Sequence, residues 1–398
     1  MLSEQSVPVV RATLPAVGAA IGDIADLFYR KLFDAHPELL RDLFNRGNQA
    51  NGEQQRALAG SVAAFAGMLL EHPDERADVM LSRIAHKHVS LGITPDQYTI
   101  VHRHLMAAVV DVLGDAVTTE VARAWDEVYW LMANALIALE ARLYARQGVE
   151  EGDVWRSMEV VDRVEESADA VSLVLRSADD RPAVPFRPGQ YVSVQVELPD
   201  GARQIRQYSL SAAPGRSDRR ITVKRARGDG QPDGEVSSWL YANARKGDVL
   251  RVSLPAGDLA LAEHDGPLLL ASAGIGVTPI LSMLDHLAAT GATRPVTVVH
   301  ADRSPDGHAH RQELLDLVRA LPDARLHLWY EEPGDRAPQA STGHADLTGL
   351  DLPEHLTAYL CGPVPFMRAV RGQLLSRGVP AEAIHYEVFG PDLWLGRQ

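Results

Sequence analysis

Residues 83 to 92 read RIAHKHVSLG and place two histidines, His86 and His88, one position apart. A neutral imidazole is the commonest metal ligand, so the first question is which of the two faces inward. On a helix turning by about 100° per residue, Leu81, Ile84, His88 and Leu91 fall in one narrow sector, with His86 nearly opposite. His88 continues an apolar stripe; His86 and Lys87 do not, and His86 reads as surface. A lone histidine on an apolar face also fits a hydrogen-bonded core residue. His102 and His104 show that helical histidines are not rare in this chain. Two further stretches carry chemical promise. RQYSLS (206–211) sets an arginine beside a tyrosine and a serine, and a guanidinium fork suits a phosphate, although four such residues alone more often mark a strand. ASAGIGVTPI (271–280) is a glycine loop between an apolar run and a helical pattern. It is not the G-x-G-x-x-G fingerprint, because Thr278 and Pro279 follow Gly274 and Gly276, and a strand-to-helix turn needing glycine gives the same spacing.

The elements that would position these residues change in texture near residue 150. Five of the 24 prolines lie in residues 1–150 and the other nineteen follow. The first part repeats apolar residues at helical spacing in ADLFYRKLFDAH, EQQRALAGSVAAFAGMLL, PDQYTIVHRHLMAAVVDVL and VARAWDEVYWLMANALIALEARLY, with turn signals between them. This predicts an all-α domain over 1–150. From residue 151 the runs VSLVL (171–175), YVSVQVEL (191–198), ITVKRA (221–226) and DVLRVSL (248–254) predict strands of a small antiparallel barrel, extending to residue 263. Over 264–398, LLLAS (268–272), VTVVHAD (296–302), RLHLWYEE (325–332) and AYLCG (358–362) are interspersed with helical patterns, which predicts a parallel α/β sheet. A chain of 398 residues exceeds one compact core, so two or three domains are expected.

The bulk numbers narrow the function classes. A formal net charge of −14 argues against a surface for nucleic acid or anionic lipid, while leaving room for a local nucleotide pocket. One cysteine, Cys361, excludes an intrachain disulfide and points to a reducing, cytoplasmic setting. No basic segment followed by an apolar core marks a signal peptide, and no uninterrupted apolar run reaches the length of a membrane span.

The segments LFYRKLF (27–33), LFNRGNQANGEQQRAL (43–58), AHKHVSLGITPDQY (85–98) and ANALIALEARLY (133–144), with the spacing between them, resemble the globin domain of flavohaemoglobins. The resemblance implies haem b, with His88, the histidine after Lys87, as proximal iron ligand and Lys87 itself among the cofactor-binding residues. It implies that Phe44 packs on the haem face, that Tyr29 and Gln54 lie on the distal side, and that Leu58 shapes that pocket. It pairs Tyr98 and Glu140 behind the proximal histidine. A carboxylate on the imidazole N–H makes the histidine a stronger electron donor.

The remaining chain resembles the ferredoxin-reductase-like half of the same family. RPGQY (187–191) and RQYSLS imply FAD contacts at Tyr191, Arg206, Gln207, Tyr208 and Ser209. GEVSSWL (234–240) implies a second phosphate contact at Gly234, Val236 and Ser237, where a glycine loop opens a helix. The loop Gly274, Ile275, Gly276, Val277, Thr278, Pro279 is similar to the family's pyrophosphate loop for NADH or NADPH. YLCGPVPFM (359–367) implies contacts near the nicotinamide at Cys361, Gly362 and Pro363. HYEVFGP (385–391) implies a tail at the flavin formed by Glu387, Val388, Phe389, Gly390 and Pro391. Three positions depart from the family pattern: Val277 stands for a common glutamine, Val388 for cysteine and Pro365 for glycine.

A hydride carries two electrons and haem iron takes one, so a flavin is the converter between them. The resemblance thus implies a nitric oxide dioxygenase. Electrons pass from NAD(P)H through FAD to haem b, and ferrous-haem-bound O2 oxidises NO to nitrate. The expected partners are NO and O2, with no nucleic acid or membrane, and the expected state is a cytoplasmic monomer. The alternative of another class is an O2-binding or sensing globin whose reductase keeps the haem ferrous. A third reading is a flavin-dependent reductase of ferric iron or quinones.

Overall fold

The computed structural model describes all residues except 76, 180–183, 229–232, 336 and 391–398. The chain divides into two compact units. The first comprises Met1–Trp155 and Glu197–Ile205 together with Gly390; the second comprises Arg156–Val196 and Arg206–Phe389.

The first unit is built on seven helices: α1 (Ser6–Ala35), α2 (Pro37–Asp42), α3 (Arg46–Ala50), α4 (Glu53–Glu71), α5 (Asp78–Leu91), α6 (Pro95–Leu113) and α7 (Thr119–Gln147). Their apolar stripes meet in one core containing Val10, Val17, Ile24, Phe28, Leu32, Phe65, Leu81, Leu105, Trp125 and Leu136. Fully burying each large side chain contributes about 1.5–3 kcal/mol. Helix α1 starts earlier than its sequence pattern suggests, because Pro8 lies in its first turn and Pro15 is accommodated inside it. Among the described residues α1 is the one helix long and apolar enough to cross a membrane by length and composition. Here its apolar stripe lines the helical core.

Local signals set the ends of the helices that matter most. Helix α5 stops at Gly92, whose φ of 77° is left-handed, and the Gly92 and Ile93 N–H groups bond back to the Val89 and His88 carbonyls. His88 therefore sits in a pinned last turn. Helix α6 opens with a capping box: the Thr94 hydroxyl accepts from the backbone N–H of Gln97, and the Thr94 N–H donates to Gln97 Oε1 at 2.9 Å. Tyr98 follows at once. Thr118 caps α7 by accepting the Val121 N–H.

Two six-stranded sheets follow, in the second unit apart from Trp155 and the hairpin residues 197–205, which belong to the first. The first contains β1 (Trp155–Ser167), β2 (Ala170–Ser177), β3 (Tyr191–Glu197), β4 (Arg203–Ser209), β5 (Arg219–Lys224) and β6 (Val249–Ser253), in the order β4-β3-β6-β1-β2-β5. An antiparallel bridge between Leu210 and Ile221 joins the two edges, so the sheet closes into the expected barrel. Strand β1, the longest, has no counterpart in the sequence reading. Its charged outward positions mask the alternation that buries Met158 and Val160. Helix α8 (Glu235–Asn243) lies between β5 and β6 in the chain.

The second sheet contains β7 (Leu268–Ala273), β8 (Val296–Asp302), β9 (Ala324–Tyr330), β10 (Ser341–Thr342), β11 (Thr357–Cys361) and β12 (Ile384–Glu387). Helices α9 (Val277–Ala289), α10 (Arg311–Ala320) and α11 (Val364–Ser376) accompany it. The order is β10-β9-β8-β7-β11-β12 and all five pairings are parallel. From β7 the chain winds outward one way through β8, β9 and β10, then returns to continue on the other side through β11 and β12. The switch falls between β7 and β11, and in open α/β sheets ligands bind beyond the carboxyl ends of the strands at that point.

Candidate functional site

In the first unit His88 stands on the inner face of α5. Its Nδ1 lies 2.8 Å from Glu140 Oε1 on α7 and 2.9 Å from the Tyr98 hydroxyl on α6. The Tyr98 hydroxyl donates to the same Glu140 oxygen at 2.6 Å. With two oxygens facing Nδ1, the proton is assigned there, donated to the carboxylate. Glu140 is 2 % exposed, so it is not the solvated helix glutamate that its local sequence alone would suggest. Burial and the Glu140 charge push the Tyr98 phenol pKa well up, which keeps that hydroxyl a donor. The set is held from behind, since the Tyr129 hydroxyl donates to the Tyr98 carbonyl at 2.6 Å and the Tyr144 hydroxyl to the Ile93 carbonyl at 2.7 Å. His86 is half-buried and partnered rather than freely exposed, and Lys87 is likewise half-buried.

Tyr29 is buried on α1 among aromatic rings, with Phe28, Phe33 and Phe44 centroids 4.7, 5.6 and 5.8 Å away. Burial raises its phenol pKa, and the carboxamides of Gln54 and then Gln49 act on the hydroxyl in the opposite direction. Phe44 and Leu58 are half-buried and pack against the same core. The structure thus gathers Tyr29, Gln54, Phe44 and Leu58 in the first unit with the His88 set.

Two glutamines here carry no sequence signal. Gln49 has a buried Nε2 with no hydrogen-bond partner among the described residues. Gln204, fully buried, comes from the β-hairpin that joins this unit. Its Nε2 reaches the Leu40, Arg41 and Phe44 carbonyls at 3.2, 3.0 and 3.1 Å, and its Oε1 accepts the Arg46 N–H at 3.3 Å. It thereby satisfies the last carbonyls of α2 and fixes the turn that carries Phe44. Arg203 bonds Asp42 and Arg46 bonds Asp200 beside it.

In the second unit the barrel motif lies at the end of β4. Gln207 Nε2 donates to Ser193 Oγ at 2.9 Å, which ties the motif to β3. Burial raises the Tyr208 phenol pKa against the Arg206 charge, and Ser209 Oγ is buried without a partner among the described residues. Tyr191 is buried against Gly257. At the start of α8 Gly234 packs on Ala226 and Val236 is buried. The Ser237 hydroxyl is spent on the Ala226 N–H and the Gly234 carbonyl. Among the described residues, Ser238 Oγ and Arg225 Nε are buried without a hydrogen-bond partner, and neither is singled out by the sequence.

The nucleotide motifs converge on the switch point. β7 ends into Gly274 and β11 ends into Gly362, with Ser272 in register with Cys361 and Cys361 in register with Glu387. A Cβ on Gly276 would sit 2.3 Å from the Cys361 carbonyl oxygen, whereas one on Gly274, whose φ is +53°, would meet open space. One glycine serves loop-to-loop packing, and the other has open space beside its backbone. Thr278 donates to the Ile275 carbonyl at 2.9 Å, and Pro279 is buried in the first turn of α9. Burial and the Glu387 charge hold the Cys361 thiol protonated, so it packs rather than attacks. Val277 is wholly buried in the domain core. Pro363 caps α11, and Pro365 falls at the helix start, where a missing N–H is harmless. Val388 is buried, Phe389 is 48 % exposed, and Gly390 has φ 134°. Pro391 lies outside the described residues.

Three family models match successive parts of the chain: Globin over residues 26–136, the oxidoreductase FAD-binding domain over 157–261 and the oxidoreductase NAD-binding domain over 270–372. The chain is 41% identical to a flavohemoprotein of Rhizobium meliloti over 99% of this chain and 100% of that one. It is 42% identical to one of Bordetella pertussis over 98% and 99%. The chain belongs to the flavohaemoproteins. A flavohaemoglobin structure from Malassezia yamatoensis, with FAD and haem bound, superposes with a TM-score of 0.89 at 38% identity, covering 98% of this chain and 100% of that one. The FAD/NAD-binding domain of a nitric oxide dioxygenase from Vibrio cholerae matches 59% of this chain and 99% of its own, with a TM-score of 0.56 and 38% identity.

This flavohaemoprotein is an NAD(P)H-dependent oxidoreductase with haem, FAD and a nicotinamide nucleotide as cofactors. Its residues fit all three. His88 has Nδ1 engaged and a side chain 30% exposed inside a helical core, with no hydrogen bond at Nε2 among the described residues, which suits an axial ligand. Buried atoms of Ser209, Ser238 and Arg225 that have no partner among the described residues suit a flavin dinucleotide, and the open space beside Gly274 suits a pyrophosphate.

Proposed function

We propose that this flavohaemoprotein is a nitric oxide dioxygenase that removes NO under air. The observation that carries the reading is the buried Glu140 carboxylate on His88 Nδ1, in a chain that also holds its own FAD and NAD(P)H domains. A storage globin gains nothing from so strong a push on its proximal ligand or from a fused reductase, whereas oxygen activation uses both.

His88 would hold the haem iron through Nε2, and the motif residues at β4 and at the β7–β11 switch would hold FAD and NAD(P)H. When bound, the flavin splits the hydride pair into single electrons and the haem supplies the centre at which dioxygen reacts. Glu140 keeps the Nδ1 proton at hydrogen-bond distance and makes the imidazole more electron-rich. Tyr98 orients that carboxylate and removes it from solvent. Tyr29 and Gln54 offer a phenol and an amide as donors to partial negative charge on a diatomic substrate, and Phe44 and Leu58 exclude water. In the nucleotide domain the open space beside Gly274 would admit a diphosphate against its backbone, while Gly276 lets the Cys361–Gly362 loop close against it. The sum NO + O2 + one electron gives nitrate without protons, so one NAD(P)H serves two NO.

The working division is 1–150 for haem, 151–263 for FAD and 264–398 for NAD(P). NO and O2 are the small-molecule partners, with no role for nucleic acid or a membrane, and the protein is taken as a cytoplasmic monomer. Nitrate yield from NO under air with NAD(P)H tests the reading. Yield no higher than a haem-free control, with slow reversible O2 binding instead, would favour the sensing or storage alternative.

A further inference from the structure

The distal side holds one more donor than the proposed reaction uses. Gln49 lies in the short helix α3, and its backbone is fixed on both sides. Its N–H donates to the Asn45 carbonyl at 3.1 Å, and its own carbonyl accepts from Gly52 N and from Gln55 Nε2, each at 3.3 Å. Asn45 caps the same turn by accepting the Gly47 and Asn48 N–H groups at 2.9 and 3.3 Å. Gln204 bonds the Arg46 N–H at the start of the helix. The Gln49 side chain therefore leaves from a fixed point. Its Nε2 is nevertheless buried and has no acceptor among the described residues, an arrangement normally costly to a fold. Gln49 also acts, after Gln54, on the Tyr29 hydroxyl.

We infer that Gln49 is a third distal hydrogen-bond donor, aimed with Tyr29 and Gln54 at the partial negative charge of a diatomic molecule held at the haem. An amide N–H left buried and unspent in a binding pocket is a donor kept for the ligand, because the fold then carries the desolvation cost before binding. The inference rests on the proposed haem site but not on the fate of NO.

The test uses the full-length holoprotein, reduced, with carbon monoxide as probe. A donor at the distal side draws electron density into CO and lowers its stretching frequency. Gln49→Leu should raise that frequency and speed oxygen dissociation about three- to tenfold, the range one hydrogen bond supports. The same change should persist in a Tyr29→Phe background. Should Gln49→Leu impair haem uptake, judged by the Soret band, Gln49→Met keeps the side-chain length and decides. An unchanged CO frequency and unchanged oxygen dissociation in a haem-loaded variant overturn the inference. So does an effect that disappears in the Tyr29→Phe background, because Gln49 would then act only through that phenol. Absence of nitrate formation with the CO shift intact removes the dioxygenase reading and leaves Gln49 as a donor.

Discussion

The two sides of the proposed haem site at His88 are built on opposite principles. On the proximal side three polar atoms bond one another: His88 Nδ1, Glu140 Oε1 and the Tyr98 hydroxyl lie within 2.6–2.9 Å of one another, with Tyr129 holding Tyr98 from behind. On the distal side the Tyr29 phenol sits among apolar rings, two carboxamides act on it, and the Gln49 amide nitrogen bonds nothing among the described residues. The difference follows from what each side must do. Tuning a permanent ligand needs fixed partners, whereas receiving a transient one needs donors whose bonds are not already made.

The largest break in this contrast comes from His88→Ala. Haem-dependent nitrate formation should fall to the haem-free background while NADH still reduces the flavin, as read by stopped-flow absorbance of each chromophore. Next comes Glu140→Gln, which keeps the shape and removes the charge. Turnover should drop by about 10–100-fold, and the iron–histidine stretch of the reduced protein should fall. A change in thermal stability alone, with that stretch unmoved, would reduce Glu140 to a packing residue. Tyr29→Phe should accelerate oxygen dissociation by about tenfold and leave the iron–histidine stretch unchanged, so that the two sides separate spectroscopically. Gln204→Leu should cost about 1–3 kcal/mol in thermal unfolding and perturb the distal CO signal only, because it frees the Phe44 turn.

The smallest effect is in pH dependence at the same corner. Hydrogen bonds from Arg41, and from Arg203 as well, hold the Asp42 carboxyl down at about 2 against its ordinary 3.8. A depressed carboxylate pKa means stability that is full above the unfolded value and is lost as pH falls toward the folded one. Acid unfolding between about pH 4 and 2 should therefore be less steep in Asp42→Asn than in the parent.

Local pattern was enough wherever one residue's environment is set by its own element. The inward face of α5 picks out His88 over His86 because helical geometry alone fixes their directions. The runs LLLAS and VTVVHAD read as buried strands because both faces are covered. Strand β1 escaped because its polar outer face dominates the string WRSMEVVDRVEES, and the early half of α1 escaped because two prolines disguise a helix.

The kinds of residues present, the order of three domains and the imidazole that faces inward were determined by the sequence. Tertiary structure alone decided which side chains share an environment. It buries Glu140 of α7 against His88 of α5, closes the barrel through Leu210 and Ile221, and lowers Gln204 onto carbonyls 160 or more positions away. Helical periodicity and strand alternation act over a few residues. Desolvation and hydrogen-bond satisfaction instead depend on distances that exist only once the chain has packed.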